Sequence, residues 1–146
     1  MTTRNAVIPA VVLPEAATDE RYVKMWAESM ANCGARRLWL GESTGLSPNI
    51  LLALLGREVG LATGLSVALT PMQHPFAAAR DARTVAAVSG HEHVAAFGPG
   101  SAIASAALLG SEQQTPVQAT ARYARTVRAL LDADMVNRSG TDLAVS

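Results

Sequence analysis

Gly64-Leu65-Ser66-Val67-Ala68-Leu69-Thr70 is apolar at nearly every position, with little of the in-out alternation of a half-solvated strand. A run of this kind suits a strand buried on both faces, as in a parallel sheet. Upstream lie Arg37-Leu38-Trp39-Leu40-Gly41 and Ala6-Val7-Ile8-Pro9-Ala10-Val11-Val12-Leu13; downstream lies Val94-Ala95-Ala96-Phe97-Gly98. The starts of the four runs are separated by roughly 30 residues, the length of a β-α-β unit.

Helix signals fill the intervals. Thr18 precedes the acidic turn Asp19-Glu20, Ser47 precedes Pro48, and Thr115 precedes Pro116. A hydroxyl in such a place caps free backbone N–H groups, and proline fits the first helical turn. Pro75 takes the same part for a third helix. Gly34 and Gly90 mark stops, where a left-handed residue commonly ends a helix. Tyr22, Met25, Trp26, Met30 and Cys33 recur at helical spacing and predict the apolar face of the first helix; Tyr123, Val127, Leu130 and Leu131 do so for the last. Cys33 on that face reads as core.

The expected order is therefore β-α-β-α-β-α-β-α over residues 1–134, followed by a tail or short hairpin at 135–146 around Ser139-Gly140. Alternation of this kind implies a parallel sheet with right-handed crossovers. An open doubly wound sheet and an arc of a barrel both satisfy it.

Composition narrows the function classes. Among 146 residues, 49% are hydrophobic and 16% charged, against about 25% charged in an ordinary soluble chain. The shortage of charge favours burial against another subunit. The formal net charge is zero and the basic residues are scattered, so no nucleic-acid footprint is present. The single cysteine suits a reducing cytoplasm. No signal peptide and no membrane-spanning run are visible.

In either architecture ligands bind where strands end and helices begin. Glu42 and Ser43 follow the second strand, Thr70 through His74 the third, and Gly98-Pro99-Gly100-Ser101 the fourth. Glu42 could hydrogen-bond a ligand or move a proton, or be a solvated loop carboxylate. His74 could contact a cofactor, or simply sit where the next helix starts before Pro75. Gly98 and Gly100 let backbone approach a flat ring or a phosphate, or make a tight connection. His91-Glu92-His93 falls on the opposite face and lacks a third ligand at suitable spacing, so no metal is expected.

Taken together, Ala27-Glu28-Ser29-Met30 through Gly34-Ala35-Arg36-Arg37-Leu38-Trp39-Leu40-Gly41-Glu42, Ala62-Thr63-Gly64-Leu65-Ser66-Val67, His74-Pro75-Phe76-Ala77-Ala78-Ala79, Val88-Ser89-Gly90 and Phe97-Gly98-Pro99-Gly100-Ser101 resemble the luciferase-like monooxygenase superfamily, especially its deazaflavin-dependent branch. The segment Tyr123 to Leu131 is similar to the helix before that family's insertion. The resemblance implies an α/β fold, a partial TIM (β/α) barrel of about four β-α units. It implies an oxidoreductase component that binds coenzyme F-420, or FMN, and transfers hydride or activates oxygen. By that resemblance Glu42 and His74 are the catalytic candidates. The cofactor-binding candidates are Ala68, Leu69, Thr70, Gly98, Pro99, Gly100 and Ser101, with a bulge or cis peptide near Ala68-Leu69-Thr70 backing the ring.

Two departures stand out. The family commonly has Gly-Arg before the fourth strand, where this chain has Gly90-His91. A complete barrel runs to about 250 residues, so a homodimer or a complementary half-barrel chain is expected. The alternative is a non-catalytic half-barrel that serves binding or assembly.

Overall fold

The computed structural model describes residues 10–12, 19–42, 45–110 and 115–132. The hairpin expected at 135–146 lies outside them. So do Thr18, Ser43 and most of the first apolar run.

Strands β1 (Ala10–Val12), β2 (Arg37–Leu40), β3 (Ala62–Leu69) and β4 (His93–Gly98) form one parallel sheet in the order β1-β2-β3-β4. Trp39 pairs with Gly64, and Gly64 with Val94, so the three central segments share one register. Between Ser66 and Ala68 the register shifts, and the Ser66–Val67 peptide is cis. The irregularity expected near Ala68-Leu69-Thr70 thus begins two residues earlier.

Helices α1 (Glu20–Asn32), α2 (Pro48–Val59) and α3 (Pro75–Ser89) alternate with the strands; a short 3-10 turn, Thr70–Met72, precedes α3. After β4 come α4 (Ala102–Leu109) and α5 (Pro116–Leu131). The sequence pattern did not announce α4: Ala-Ile-Ala-Ser-Ala-Ala-Leu-Leu is apolar or small throughout and has no polar face to give it a period.

The helices pack in chain order, α1 on α2, α2 on α3 and α3 on α5. One cluster joins Val23 and Ala27 of α1, Leu51, Leu52 and Leu55 of α2, Val85 of α3, and Leu38, Leu40, Leu65 and Ala68 of the sheet. Leu38 and Leu40 share one sheet face, so all three helices cover that same face. Phe97 continues the layer to Tyr123 of α5, their rings 5.3 Å apart. Fully buried leucines such as Leu38, Leu52 and Leu55 each stabilise the fold by about 1.5–3 kcal/mol. On the other face Arg37, Trp39, Ser66, Val67, Val94 and Ala96 stay half-buried or exposed.

Several local expectations need correction. The buried stripe of α1 is Val23 and Ala27, one turn apart; Tyr22 and Met25 stand 48% and 57% exposed. Cys33 is exposed as well, because it lies at the C-cap, beyond the last turn that packs on α2. The cap of α1 is Asp19, whose carboxylate accepts from the Arg21 N–H at 2.9 Å. Ser47 and Thr115 occupy N-cap positions without side-chain cap bonds, and Pro48 and Pro116 each remove one donor there. Gly34 and Gly90 do adopt the left-handed conformation, φ 83° and 72°.

Candidate functional site

Three strand ends converge on the open face. The one after β2 brings Gly41 and Glu42, the one after β3 brings the Ser66–Val67 irregularity with Leu69 and Thr70, and the one after β4 brings Gly98-Pro99-Gly100-Ser101.

The extra residue of the bulge turns Val67 onto the open face, where it is 41% exposed. Its Cγ1 lies 3.0 Å from the point a Cβ on Gly98 would occupy. Leu69 repeats the arrangement one step further on: its Cδ2 lies 3.2 Å from the equivalent point on Gly100, which has φ 77°. Gly41 closes the other side, its missing Cβ 3.3 Å from the Ser66 carbonyl oxygen. Below them the Trp39 ring covers Gly64 so closely that any side chain there would collide with it. The result is a low apolar shelf of Val67 and Leu69 on a glycine floor, with Trp39 beneath.

Polar groups border the shelf. Thr70 is only 3% exposed, and its Oγ1 has no hydrogen-bond partner among the described residues. A buried hydroxyl without a partner costs about 1–3 kcal/mol. Glu42 is exposed, and the partial desolvation of its carboxyl by the surrounding chain raises its pKa above the ordinary value. His74 is exposed and caps α3: its Nδ1 accepts from the Phe76 N–H at 3.2 Å. That bond places the proton of the neutral ring on Nε2.

The sequence-derived set therefore divides. Leu69, Thr70, Gly98 and Gly100 gather at the shelf, with half-buried Pro99 and exposed Ser101 continuing the β4 turn. Ala68 does not present its side chain there, since the bulge rotates it into the helix-facing core, where it is 6% exposed. Glu42 and His74 sit in separate turns, after β2 and after β3. Val67, Gly41, Gly64 and Trp39 were not anticipated. A glycine inside an apolar strand is the one sequence signal that pointed to a close approach.

Histidine 93 belongs to the opposite, N-terminal end. Its Nδ1 bonds Thr63 Oγ1 at 2.9 Å, and its Nε2 is buried without a described partner. Burial first, then the nearby Arg37 charge, lowers its pKa. Arg37 itself pairs with Glu92 at 2.7 Å and lies over the Trp39 ring. No cluster of three metal-ligating side chains occurs among the described residues.

A different concavity, of about 200 Å³, lies between α3 and α5 and is lined by Phe76, Ala79, Arg80, Arg83, Thr84 and Leu130. Its cations are already engaged: Arg80 with Asp81, and Arg83 with the carbonyls of Leu130 and Leu131. No helix among the described residues is long and apolar enough to cross a membrane. No family model matches the chain, and no curated protein matches it either.

Proposed function

We propose that this chain is the ring-binding half of a luciferase-like oxidoreductase, an arc of a (β/α) barrel that holds a flavin or deazaflavin at its C-terminal strand ends. The observation that carries the reading is the shelf: Val67 and Leu69 seated on Gly98 and Gly100, beside the unpartnered Thr70 hydroxyl. A flat tricyclic ring wants an apolar support on one face and a few polar atoms at its edge.

The consecutive strand order and the single helix layer support the barrel. A doubly wound sheet reverses its strand order and carries helices on both faces. The half-buried row of β4 and the exposed Tyr22 and Met25 of α1 support a neighbour at each flank. Two parallel edges left unpaired would otherwise expose backbone donors and acceptors. We assign the completed assembly to the cytoplasm, a compartment that suits a lone exposed thiol.

Coenzyme F-420, favoured over FMN by the resemblance, supplies hydride chemistry when bound. The chain's own contribution is placement and proton handling. Val67 and Leu69 exclude water from one ring face, Thr70 offers a hydroxyl to a ring-edge heteroatom, and Glu42 holds a proton more readily than a solvated carboxylate does. His74 presents Nε2 from the start of α3.

A second reading, a non-catalytic assembly subunit, is favoured by one fact: no Lys or Arg occurs among residues 41–42, 45–47, 70–74 and 99–101, the described residues that link β2, β3 and β4 to the helices after them. Native mass spectrometry of the purified chain, incubated separately with F-420 and FMN, separates the two. Stoichiometric cofactor on a dimeric or larger assembly is the expected result. An assembly that takes up neither cofactor leaves the structural subunit as the answer.

A further inference from the structure

Cations that lie far apart in the sequence are gathered on one pair of helices. Helices α3 and α5 pack against each other and carry Arg80, Arg83, Arg122, Arg125 and Arg128, against a single acidic residue, Asp81. Helices α1 and α2 are balanced: Arg21 and Lys24 stand with Glu20 and Glu28, and Arg57 with Glu58. The excess of positive charge on α3 and α5 thus belongs to a chain whose formal net charge is zero. We propose that the outer face of α3 and α5 docks a partner protein through a short acidic segment carrying one apolar anchor residue. The proposal goes beyond the ring-binding reading and does not depend on it.

Much of this charge is uncommitted. Arg122 and Arg125 are exposed, and their guanidinium groups have no ion pair among the described residues. Arg80 reaches Asp81 through Nε and Nη2, and Arg83 reaches the carbonyls of Leu130 and Leu131 through Nη2 alone. Nη1 of each, and Nε of Arg83, are left to meet an incoming group. The carbonyl bonds also hold the Arg83 fork in place, so less freedom is lost when it meets a carboxylate. The exposed pairs Arg80–Asp81 and Arg128–Asp132 are weakly held and compete poorly with a second carboxylate. All five cations are arginine, whose planar fork matches a carboxylate with two parallel hydrogen bonds.

The groove between the helices supplies the anchor site. Phe76, Ala79 and Leu130 wall it together with Arg80, Arg83 and Thr84, around a volume of about 200 Å³. That is less than the roughly 300–1,000 Å³ of a small-molecule site and suits one apolar side chain. Protein interfaces concentrate their energy in such anchors, seated in a pocket and bordered by polar groups. A single-stranded nucleic acid asks instead for successive aromatic platforms. Phe76 is 49% exposed, while Tyr123, the other aromatic residue of these helices, is buried. A membrane surface asks for a broad apolar face, and the exposed positions of α5 include all three of its arginines.

The test uses the full chain and a fluorescein-labelled peptide, one leucine flanked by three glutamates on each side, read by fluorescence anisotropy. Saturable binding is expected at about 0.05 M salt, weakened at least tenfold at about 0.5 M, where the charges are screened. Arg122→Gln with Arg125→Gln should weaken it tenfold; both residues are exposed, so circular dichroism should show an unchanged melting curve. Phe76→Ala, or serine in place of the peptide's leucine, should each weaken it at least fivefold. No saturable binding up to about 1 mM peptide, an affinity too weak for specific docking, would overturn the proposal. So would equal affinity for the peptide without its leucine, which would leave the groove no part. Tighter binding of a ten-residue oligothymidylate or of phosphatidylglycerol vesicles, lost in the same arginine variant, would overturn the choice of a protein partner.

Discussion

Val67 occupies the space that a side chain on Gly98 would need, with its Cγ1 3.0 Å from the position of the missing Cβ. The contact joins the bulge of β3 to the glycine turn of β4 and sets the height of the shelf. Gly98 has no positive φ, so alanine is allowed by the backbone. Gly98→Ala should push Val67 outward, leave the melting temperature within a few degrees, and weaken riboflavin binding tenfold or more. A variant with wild-type affinity would mean that the ring does not lie on Val67.

Trp39 and Gly64 allow no such adjustment. Any Cβ on Gly64 enters the Trp39 ring, and overpacking of this kind costs about 1–3 kcal/mol. Gly64→Ala should lower stability by that amount in urea denaturation. Pairing it with Trp39→Val should recover part of the loss, and a double-mutant cycle with no coupling would deny the contact.

Part of this site was legible in the sequence because glycines inside or just after apolar strands have few other reasons to be there. Gly98 and Gly100 fall at the end of β4 and in the turn after it, where the apolar run stops, and Gly34 and Gly90 end helices as read. Val67 was not, because strict alternation assigns every second residue to one face and a one-residue bulge breaks the count after Ser66. The same slip sends Ala68, read as a ligand contact, into the core. In α1 the large side chains Tyr22 and Met25 suggested the buried face, yet small Ala27 and Val23 pack on α2. Size and hydrophobicity alone do not say which stripe a neighbouring helix will choose. Helix α4 left no period to read.

Thr70→Val tests the unpartnered hydroxyl. The valine is nearly isosteric and removes a buried polar atom that has no described partner, so stability without ligand should rise by up to about 1 kcal/mol. Ring affinity should fall in the same variant. Loss of stability on substitution would place a partner on Oγ1 within the protein and remove Thr70 from the site.

Histidine 93 gives the fold a pH dependence. Its pKa is lowered in the folded state, so the unfolded chain takes up the proton first. The contribution is fully present above the unfolded value of about 6.5 and is lost as pH falls below it. Stability should therefore decline between pH 7 and pH 5. His93→Gln should flatten that decline, and a variant with an unchanged profile would assign it to other groups.

Glutamate 42 has the opposite sign. Burial raises its pKa, so its charge opposes folding once the pH rises above the ordinary carboxylate range. Glu42→Gln should be neutral near pH 4 and slightly stabilising at pH 7, while ring binding loses its pH dependence through the acidic range. Destabilisation at pH 7 would mean that the carboxylate has a structural partner.

Amide hydrogen exchange of the chain with and without F-420 tests the central claim most directly. The account predicts slowed exchange concentrated at residues 66–70 and 98–101, where Val67, Leu69, Gly98 and Gly100 meet the ring. Protection confined to the groove between α3 and α5, or no protection under saturating cofactor, would contradict it.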